Sequence, residues 1–185
     1  MVSGPVLRPA AAEDGPVLAR IDAETWSPAV TPAPRFSPDR PFFASASPAD
    51  VLVAELDGRV AGYARVTPYL PLPSAAHVQQ LAALAVAPAA QRRGVGRALL
   101  AGARDLAVRR GARVLLLRVL SSNPGAIALY RSVGYRVEGV LRGVFRLDGE
   151  YVDDVLMALD LTVPDGQGAD GAVSPTGASG PGTPR

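Results

Sequence analysis

VAPAAQRRGVGRALL, which spans Val86–Leu100, holds Gly94 and Gly96 directly after a pair of arginines. The apolar residues that follow recur at helical spacing, which predicts a helix from Gly94 to about Arg110. The first turn of a helix leaves backbone N–H groups unpaired and carries partial positive charge, and glycine removes the Cβ that would keep an anion away. The stretch therefore predicts a site for a phosphate or pyrophosphate group.

Two common phosphate-binding motifs do not fit this stretch. A P-loop needs a Gly-Lys-Ser/Thr ending, and the chain has no lysine, since all 19 of its basic residues are arginines. A dinucleotide-binding fingerprint needs a third glycine, and Leu99 stands at that position. A glycine-rich helix start that binds nothing remains an alternative on these grounds alone.

Composition narrows the class of protein. The chain has 185 residues, of which 48% are hydrophobic, which favours one globular domain. A net charge of +2 without a clustered basic face argues against a nucleic-acid partner. The sequence has no cysteine and a single histidine, His77, which excludes thiolate catalysis, disulfides and a multi-histidine metal site. No metal ligand set is expected.

The ends of the chain predict location and domain limits. The N-terminus lacks the layout of a signal peptide, and no apolar run reaches membrane-spanning length, so we expect a cytoplasmic protein with no membrane partner. Residues 164–185 are rich in Gly, Pro, Ser and Thr and predict a disordered tail. Residues 1–163 then form the domain.

The order of predicted elements is typical of an α+β fold with a mixed, mainly antiparallel sheet of about seven strands flanked by about four helices. Asp57-Gly58 and Asp148-Gly149 are strong hairpin signals, each between two strands. Asp14 is expected to cap a helix that runs to about Trp26, and the Pro-rich stretch 27–48 to form a loop or short helices over the core. The strand ending at Val86, the following helix and a buried strand at 113–120 predict a right-handed parallel crossover.

A second motif lies downstream. NPGAIALYRSVGY, spanning Asn123–Tyr135, predicts a short helix with Asn123 as N-cap, Pro124 as first helical residue and Gly134 past its end. With LAVAPAAQRRGVGRALL before it, this segment resembles the two signature motifs of the GNAT superfamily of N-acetyltransferases. The pattern Q/R-x-x-G-x-G/A is matched throughout by Gln91–Gly96, and the resemblance extends over about 6–161.

The resemblance implies an enzyme that moves an acetyl group from acetyl-CoA to a primary amine of a small molecule or a peptide N-terminus by direct attack. Its strand before the glycine loop would splay from its parallel neighbour and pair with the pantetheine arm, while the loop would hold the pyrophosphate. A free backbone N–H near Val86 would polarise the thioester carbonyl. The cofactor-binding residues implied are Leu84, Ala85, Val86, Gln91, Arg92, Arg93, Gly94, Val95, Gly96, Arg97, Asn123 and Tyr130.

Two of these residues have a second interpretation. Asn123 either contacts the coenzyme arm or serves only as the helix cap. From its spacing alone Tyr130 is an apolar partner of Ala126, whereas the resemblance implies that it is the general acid for the thiolate leaving group.

The general base stays unassigned, because the strand HVQQLAALAV carries no carboxylate where many family members have a glutamate. His77 could act through water, although a histidine at a strand start is more often a surface residue. Glu150, Asp153 and Asp154 could attract a cationic amine, or simply be solvated.

The acceptor pocket and the assembly state are less defined. Aromatic residues in or near loops are expected to build the pocket, with at least half of them plain core: Trp26, Phe36, Phe42, Phe43 and Tyr69. The chain is expected to be a monomer or homodimer. A catalytically silent acyl-CoA-binding regulatory module and a nucleotide-binding protein of another fold remain the alternatives.

Overall fold

A computed structural model describes residues 4–35 and 37–162 of the chain. The domain boundary at 163, the tail at 164–185 and the aromatic Phe36 lie outside these residues, so their predictions stay predictions.

Seven strands and three α-helices make up the described fold. Strands β1 to β7 are Val6–Pro9, Val51–Leu56, Arg59–Pro68, Val78–Val86, Val114–Leu120, Arg136–Leu147 and Glu150–Asp160. Helices α1 to α3 are Gly15–Thr25, Val95–Arg109 and Pro124–Arg131. The strands form one sheet in the order β1-β2-β3-β4-β5-β7-β6, in which only the β4–β5 pair is parallel. This confirms the mixed, mainly antiparallel α+β sheet.

Both predicted hairpins are present. Asp57 and Gly58 have φ of 53° and 73°, and Asp148 and Gly149 have φ of 49° and 91°. Two successive positive φ values give the turn whose twist matches that of the flanking strands.

The Pro-rich stretch between α1 and β2 forms turns and short 3-10 helices at Phe42–Ala44 and Pro48–Asp50, as predicted. The described residues contain three α-helices, close to the predicted number of about four. The prediction that Asp14 caps α1 is wrong. Asp14 precedes α1 but does not cap it. Its carboxylate instead accepts hydrogen bonds from the Arg8 guanidinium at 2.7 and 2.8 Å and from the Ala11 N–H at 2.8 Å.

The sheet is covered on both faces. Helix α2 buries Leu99 and Ala103 on one face, where Ala64 and Val66 of β3 also pack. Helix α1 buries Leu18 on the other face, against Tyr63 of β3. Side chains alternate between the two faces along a strand, so Arg65 of β3, which lies between Ala64 and Val66, points to the α1 face like Tyr63.

Strands β4 and β5 separate part of the way along. Their parallel ladder pairs Val78 with Val114, Gln79 with Leu115 and Gln80 with Leu116, and goes no further. Strand β4 nevertheless continues to Val86 and β5 to Leu120. A wedge therefore opens within the sheet, which confirms the splayed parallel pair.

The close approach of β3 to β4 beside this wedge gives a testable prediction. A Cβ on Gly62 would lie 2.5 Å from the Ala85 carbonyl oxygen and 3.1 Å from the Val86 Cα. Since both are backbone atoms, Gly62→Ala is expected to cost about 1–3 kcal/mol of unfolding free energy through overpacking. Thermal unfolding should show a Tm lowered by about 2–4 °C per kcal/mol.

Gly139→Ala on β6 is the matched control, because a Cβ there meets nothing within 4 Å. Equal Tm values for the two variants would contradict the close β3–β4 approach.

Candidate active site

A cleft of about 1270 Å³ runs from the wedge to the loop after β4 and the start of α3. Most of the residues implied for cofactor binding line it: Leu84, Ala85, Val86, Gln91, Arg92, Gly94, Gly96, Arg97, Asn123 and Tyr130. The two motifs, which lie far apart in sequence, thus meet in one site.

Arg93 and Val95 are the exceptions, because their side chains turn away from the cleft. The Arg93 guanidinium pairs with Asp57 of the β2–β3 hairpin at 2.8 Å. Val95 is 1% exposed and belongs to the core. The backbone amides of Arg93 and Val95 remain available to a ligand.

The start of α2 has the features of an anion cradle. Gly94 is its N-cap residue with φ of 83°, and no side chain caps the helix. Arg92 also has a positive φ of 62°, which is uncommon for a residue other than glycine. Unpaired N–H groups, the helix dipole and the arginines Arg92 and Arg97 all face the same cleft. This arrangement fits the pyrophosphate of coenzyme A.

The edge of β4 that faces the wedge fits an extended pantetheine arm. The Ala87 N–H donates to the Ala61 carbonyl on β3 at 2.8 Å. Because backbone groups alternate along a strand, the N–H groups of Val86 and Leu84 point to the opposite side, where β5 has separated from β4. The Gln91 side-chain amide donates to the Val86 carbonyl at 3.2 Å and ties the loop to the strand.

Helix α3 brings Asn123 and Tyr130 to the wall of the cleft. The Asn123 Oδ1 accepts a hydrogen bond from the Ala126 N–H at 3.1 Å, which confirms its cap role. The Tyr130 side chain is largely buried, and its hydroxyl forms no hydrogen bond within residues 4–35 and 37–162. Burial raises the pKa of Tyr130 to about 12, so the hydroxyl keeps its proton at physiological pH and has a hydrogen to donate.

A carboxylate that the sequence analysis missed lies on the α1 side of the cleft. Asp22 of α1 accepts a hydrogen bond from the Tyr63 hydroxyl, and both side chains line the cleft. Burial raises the pKa of Asp22, although the Tyr63 hydrogen bond and the charges of Arg65 and Arg40 act in the opposite direction. Burial likewise raises the pKa of Tyr63.

The sequence did hold a signal for Asp22. It lies four residues after Leu18 and next to Ile21, which places a carboxylate on the buried stripe of α1. An acidic residue at such a position needs a partner or a function.

The other candidate bases lie elsewhere. His77 is exposed at the start of β4 and does not line the cleft. Glu150 is exposed in the last hairpin, and Asp153 accepts from the Gly143 N–H at 2.8 Å. Asp154 does line the cleft, but its buried carboxylate accepts from Arg118 Nε at 2.6 Å.

The aromatic residues divide between cleft and scaffold. Trp26 and Phe42 line the cleft, whereas Phe43 and Tyr69 do not. The Trp26 indole N–H donates to the Ala33 carbonyl at 2.8 Å, and the Phe42 ring packs edge-on against Tyr63 with 5.0 Å between centroids. Trp26 and Phe42 are thus held in the pocket wall by contacts with neighbouring residues of the fold.

Within the part of the chain that the structure describes, no three His, Asp or Glu side chains are arranged to hold a metal ion. None of the described helices has the length and apolar character needed to cross a membrane.

The chain is similar in sequence and fold to known proteins. The profile of the Acetyltransferase (GNAT) family matches residues 17–135. The [Ribosomal protein bS18]-alanine N-acetyltransferase of Escherichia coli strain K12 is 39% identical over 80 residues, which cover 43% of this chain and 54% of that protein. The chain therefore spans about half the length of the curated relatives that it matches.

Solved structures agree over more of the chain. The structure of smu.2055 from Streptococcus mutans UA159 superposes with a TM-score of 0.76 at 31% identity, over 84% of this chain and 99% of that one. Ribosomal-protein-alanine N-acetyltransferase from Brucella melitensis gives 0.73 at 32% identity, with the same coverage of 84% and 99%. The yncA protein of Salmonella typhimurium, solved with its cofactor acetyl-CoA, gives 0.73 at 25% identity over 94% and 99%.

The anion cradle gives a prediction that separates affinity from stability. Gly94→Ala places a Cβ on a residue with φ of 83°, which costs about 1–2 kcal/mol of backbone strain. Because the strain falls on the residue that opens the cradle, the Kd for acetyl-CoA is expected to rise about tenfold or more, as measured by calorimetry.

The matched control is Gly149→Ala in the β6–β7 hairpin, where φ is 91° and a Cβ again meets nothing within 4 Å. It should lose similar stability and keep its affinity for acetyl-CoA. An unchanged Kd for Gly94→Ala would contradict the cradle.

Proposed function

We propose that this chain, which belongs to the Acetyltransferase (GNAT) family, transfers the acetyl group of acetyl-CoA to a primary amine of a small molecule or a peptide N-terminus. The observation that carries the proposal is the single cleft that joins an uncapped helix start, an unpaired strand edge and a protonated, unbonded tyrosine hydroxyl. Acetyl-CoA supplies a thioester whose acetyl carbon is open to attack by an amine.

On the donor side, the backbone does most of the binding. The amides from Arg92 to Arg97 would hold the pyrophosphate, with the Arg92 and Arg97 side chains adding charge. The backbone of Leu84 and Val86 would pair with pantetheine as an added strand does, and the N–H of Val86 would donate to the thioester carbonyl oxygen.

On the acceptor side, Asp22 is the base. The amine nitrogen forms the new C–N bond, the C–S bond breaks, and the sulfur leaves with the bonding electron pair. The proton released by the nitrogen goes to the Asp22 carboxylate, and the Tyr130 hydroxyl donates to the sulfur. A carboxylate whose pKa is raised by burial is a stronger base than an exposed one, which suits this role.

The energy needed to deprotonate the amine favours an α-amino group. At pH 7.4 a lysine-like amine of pKa ~10.4 costs about 4 kcal/mol to deprotonate, whereas an α-amino group of pKa ~8 costs less than about 1 kcal/mol. A single carboxylate base is therefore better suited to an α-amino group than to a lysine-like amine. Relatives named as alanine N-acetyltransferases also support an α-amino acceptor.

The function is tested by measuring release of the CoA thiol with a panel of amines. Acetyl-CoA-dependent thiol release together with a product that gains one acetyl group is expected. Stabilisation by acetyl-CoA without release for any amine would instead favour the silent acyl-CoA-binding module. Stabilisation by NAD or ATP but not by acetyl-CoA would favour the nucleotide-binding alternative.

Tyr130→Phe should lower kcat by on the order of 100-fold while the Kd for acetyl-CoA stays unchanged. We expect an effect at the low end of acid catalysis because the burial that holds the proton also weakens the acid. The control is Tyr151→Phe, on a tyrosine that is 73% exposed and away from the cleft. A Tyr130→Phe kcat within about threefold of the parent would remove the acid role.

Asp22→Asn should lower kcat/KM by about 100-fold or more and abolish the rise of kcat/KM on the acid side of the pH profile. The parent needs the ionised carboxylate, and its raised pKa moves that rise above the ordinary carboxyl range. A profile that keeps the same acid limb would contradict the base role. Asp105→Asn, on the exposed face of α2, is the control.

The folding stability of the protein should change with pH in the direction opposite to its activity. A carboxyl whose folded pKa is raised binds more protons in the folded state, so stability falls as pH rises between the unfolded and the folded pKa. Asp22→Asn escapes this loss, and its Tm at neutral pH should equal or exceed that of the parent. An inactive variant with an unchanged or higher Tm is therefore not simply unfolded.

A further inference from the structure

Arg65 of β3 is a charged side chain of the cleft without a bonded partner. It lines the cleft beside Tyr63 and Asp22. Its buried Nε has no hydrogen-bond partner, and its guanidinium forms no hydrogen bond or ion pair within the described ranges 4–35 and 37–162. Arg65 acts on Asp22 and Tyr63 through its charge, which lowers the pKa of each, and not through a hydrogen bond.

Three other arginines in or beside the sheet each bind a carboxylate, unlike Arg65. Arg8 binds Asp14 and Glu55, each at 2.7 Å. Arg110 binds Asp50 at 2.9 Å. Arg118, which also lines the cleft, donates from Nε to Asp154 at 2.6 Å.

A buried donor without a partner is costly, so the Arg65 Nε calls for a partner that the described residues do not supply. Asp22 does not fill this role, because its carboxylate accepts a hydrogen bond from the Tyr63 hydroxyl instead. The guanidinium fork fits planar anions, above all a carboxylate held by two parallel hydrogen bonds.

We propose that Arg65 binds the carboxylate of the acceptor, and that the acceptor is therefore a free α-amino acid or a close analogue rather than a peptide N-terminus. This inference rests on the proposed acetyl transfer and names the substrate class of the same site.

The register of the sheet places the two ends of such a molecule. Tyr63 pairs with Ala85 and Arg65 with Ala83, and these small alanines leave room above β4 on the α1 face. Two residues along a strand separate Cα atoms by about 7 Å. The amine would lie at the Asp22–Tyr63 end, beside the free edge of Val86, and the carboxylate at the Arg65 end.

This pocket discriminates between the two acceptor classes. A peptide N-terminus offers a neutral amide carbonyl where the free amino acid offers a carboxylate. A hydrogen bond to a charged group contributes about 1.5–3 kcal/mol, which corresponds to about 10- to 100-fold in kcat/KM. The side chain of the acceptor would meet the apolar wall of Trp26 and Phe42.

The test compares the standard amino acids with their C-terminal amides and with short peptides as acceptors. For the parent, kcat/KM for the preferred amino acid should exceed that for its amide by about tenfold or more. Arg65→Gln should erase this ratio by raising KM for the free acid, with little change for the amide. Arg59→Gln, an exposed arginine of the same strand, should leave the ratio intact.

Calorimetry on the CoA complex separates failure of this inference from failure of the proposed function. Amino acids that bind through Arg65 without being acetylated would support the inference and overturn the activity. Acetylation of amides or peptides as fast as of free acids, or an acid-to-amide ratio unaffected by Arg65→Gln, would overturn the inference and keep the activity. Neither binding nor acetylation of any amine would overturn both.

Discussion

The separation of β4 from β5 after the Gln80–Leu116 pair is the constraint on which the rest of the site depends. A backbone edge inside a sheet normally has its N–H and C=O groups paired, and unpaired groups are costly unless water or a ligand satisfies them. Here the fold maintains an unpaired edge because β3 holds β4 from the other side through Val86. The wedge leaves room for a strand-like ligand that residues 4–35 and 37–162 do not themselves supply.

The two faces of the sheet give this wedge two different sides. On one face, α2 directs its uncapped first turn into the cleft and α3 adds Tyr130. On the other face, α1 and β3 contribute the polar side chains of Asp22, Tyr63 and Arg65. We infer that the donor enters from the first side and the acceptor from the second, so that they meet at the free edge of β4.

The sequence predicted the local features of the fold, namely its turns and helix ends. It did not predict side-chain contacts between residues that lie far apart in the chain. The Gly94 turn, the Asn123 cap and both Asp-Gly hairpins follow from short-range conformational preferences. These preferences predicted the starts of α2 and α3. The Asp22–Tyr63 hydrogen bond joins residues 41 positions apart, and the Arg118–Asp154 pair joins residues 36 apart. The hydrophobic periodicity of the sequence predicts neither of these two side-chain pairs. Asp14 shows the same limit, since its carboxylate binds Arg8 and makes no side-chain cap bond to α1, although its position predicted one.

Backbone amide hydrogen exchange in the presence and absence of acetyl-CoA tests whether the open edge of β4 binds the donor. The amides of Leu84 and Val86 and those from Arg92 to Arg97 should exchange more slowly when acetyl-CoA is bound, because the ligand takes the place of the missing strand and fills the helix start. The amides of the β6–β7 hairpin should be unaffected. Binding of acetyl-CoA with no protection at Leu84 and Val86 would show that the open edge of β4 does not hold the donor.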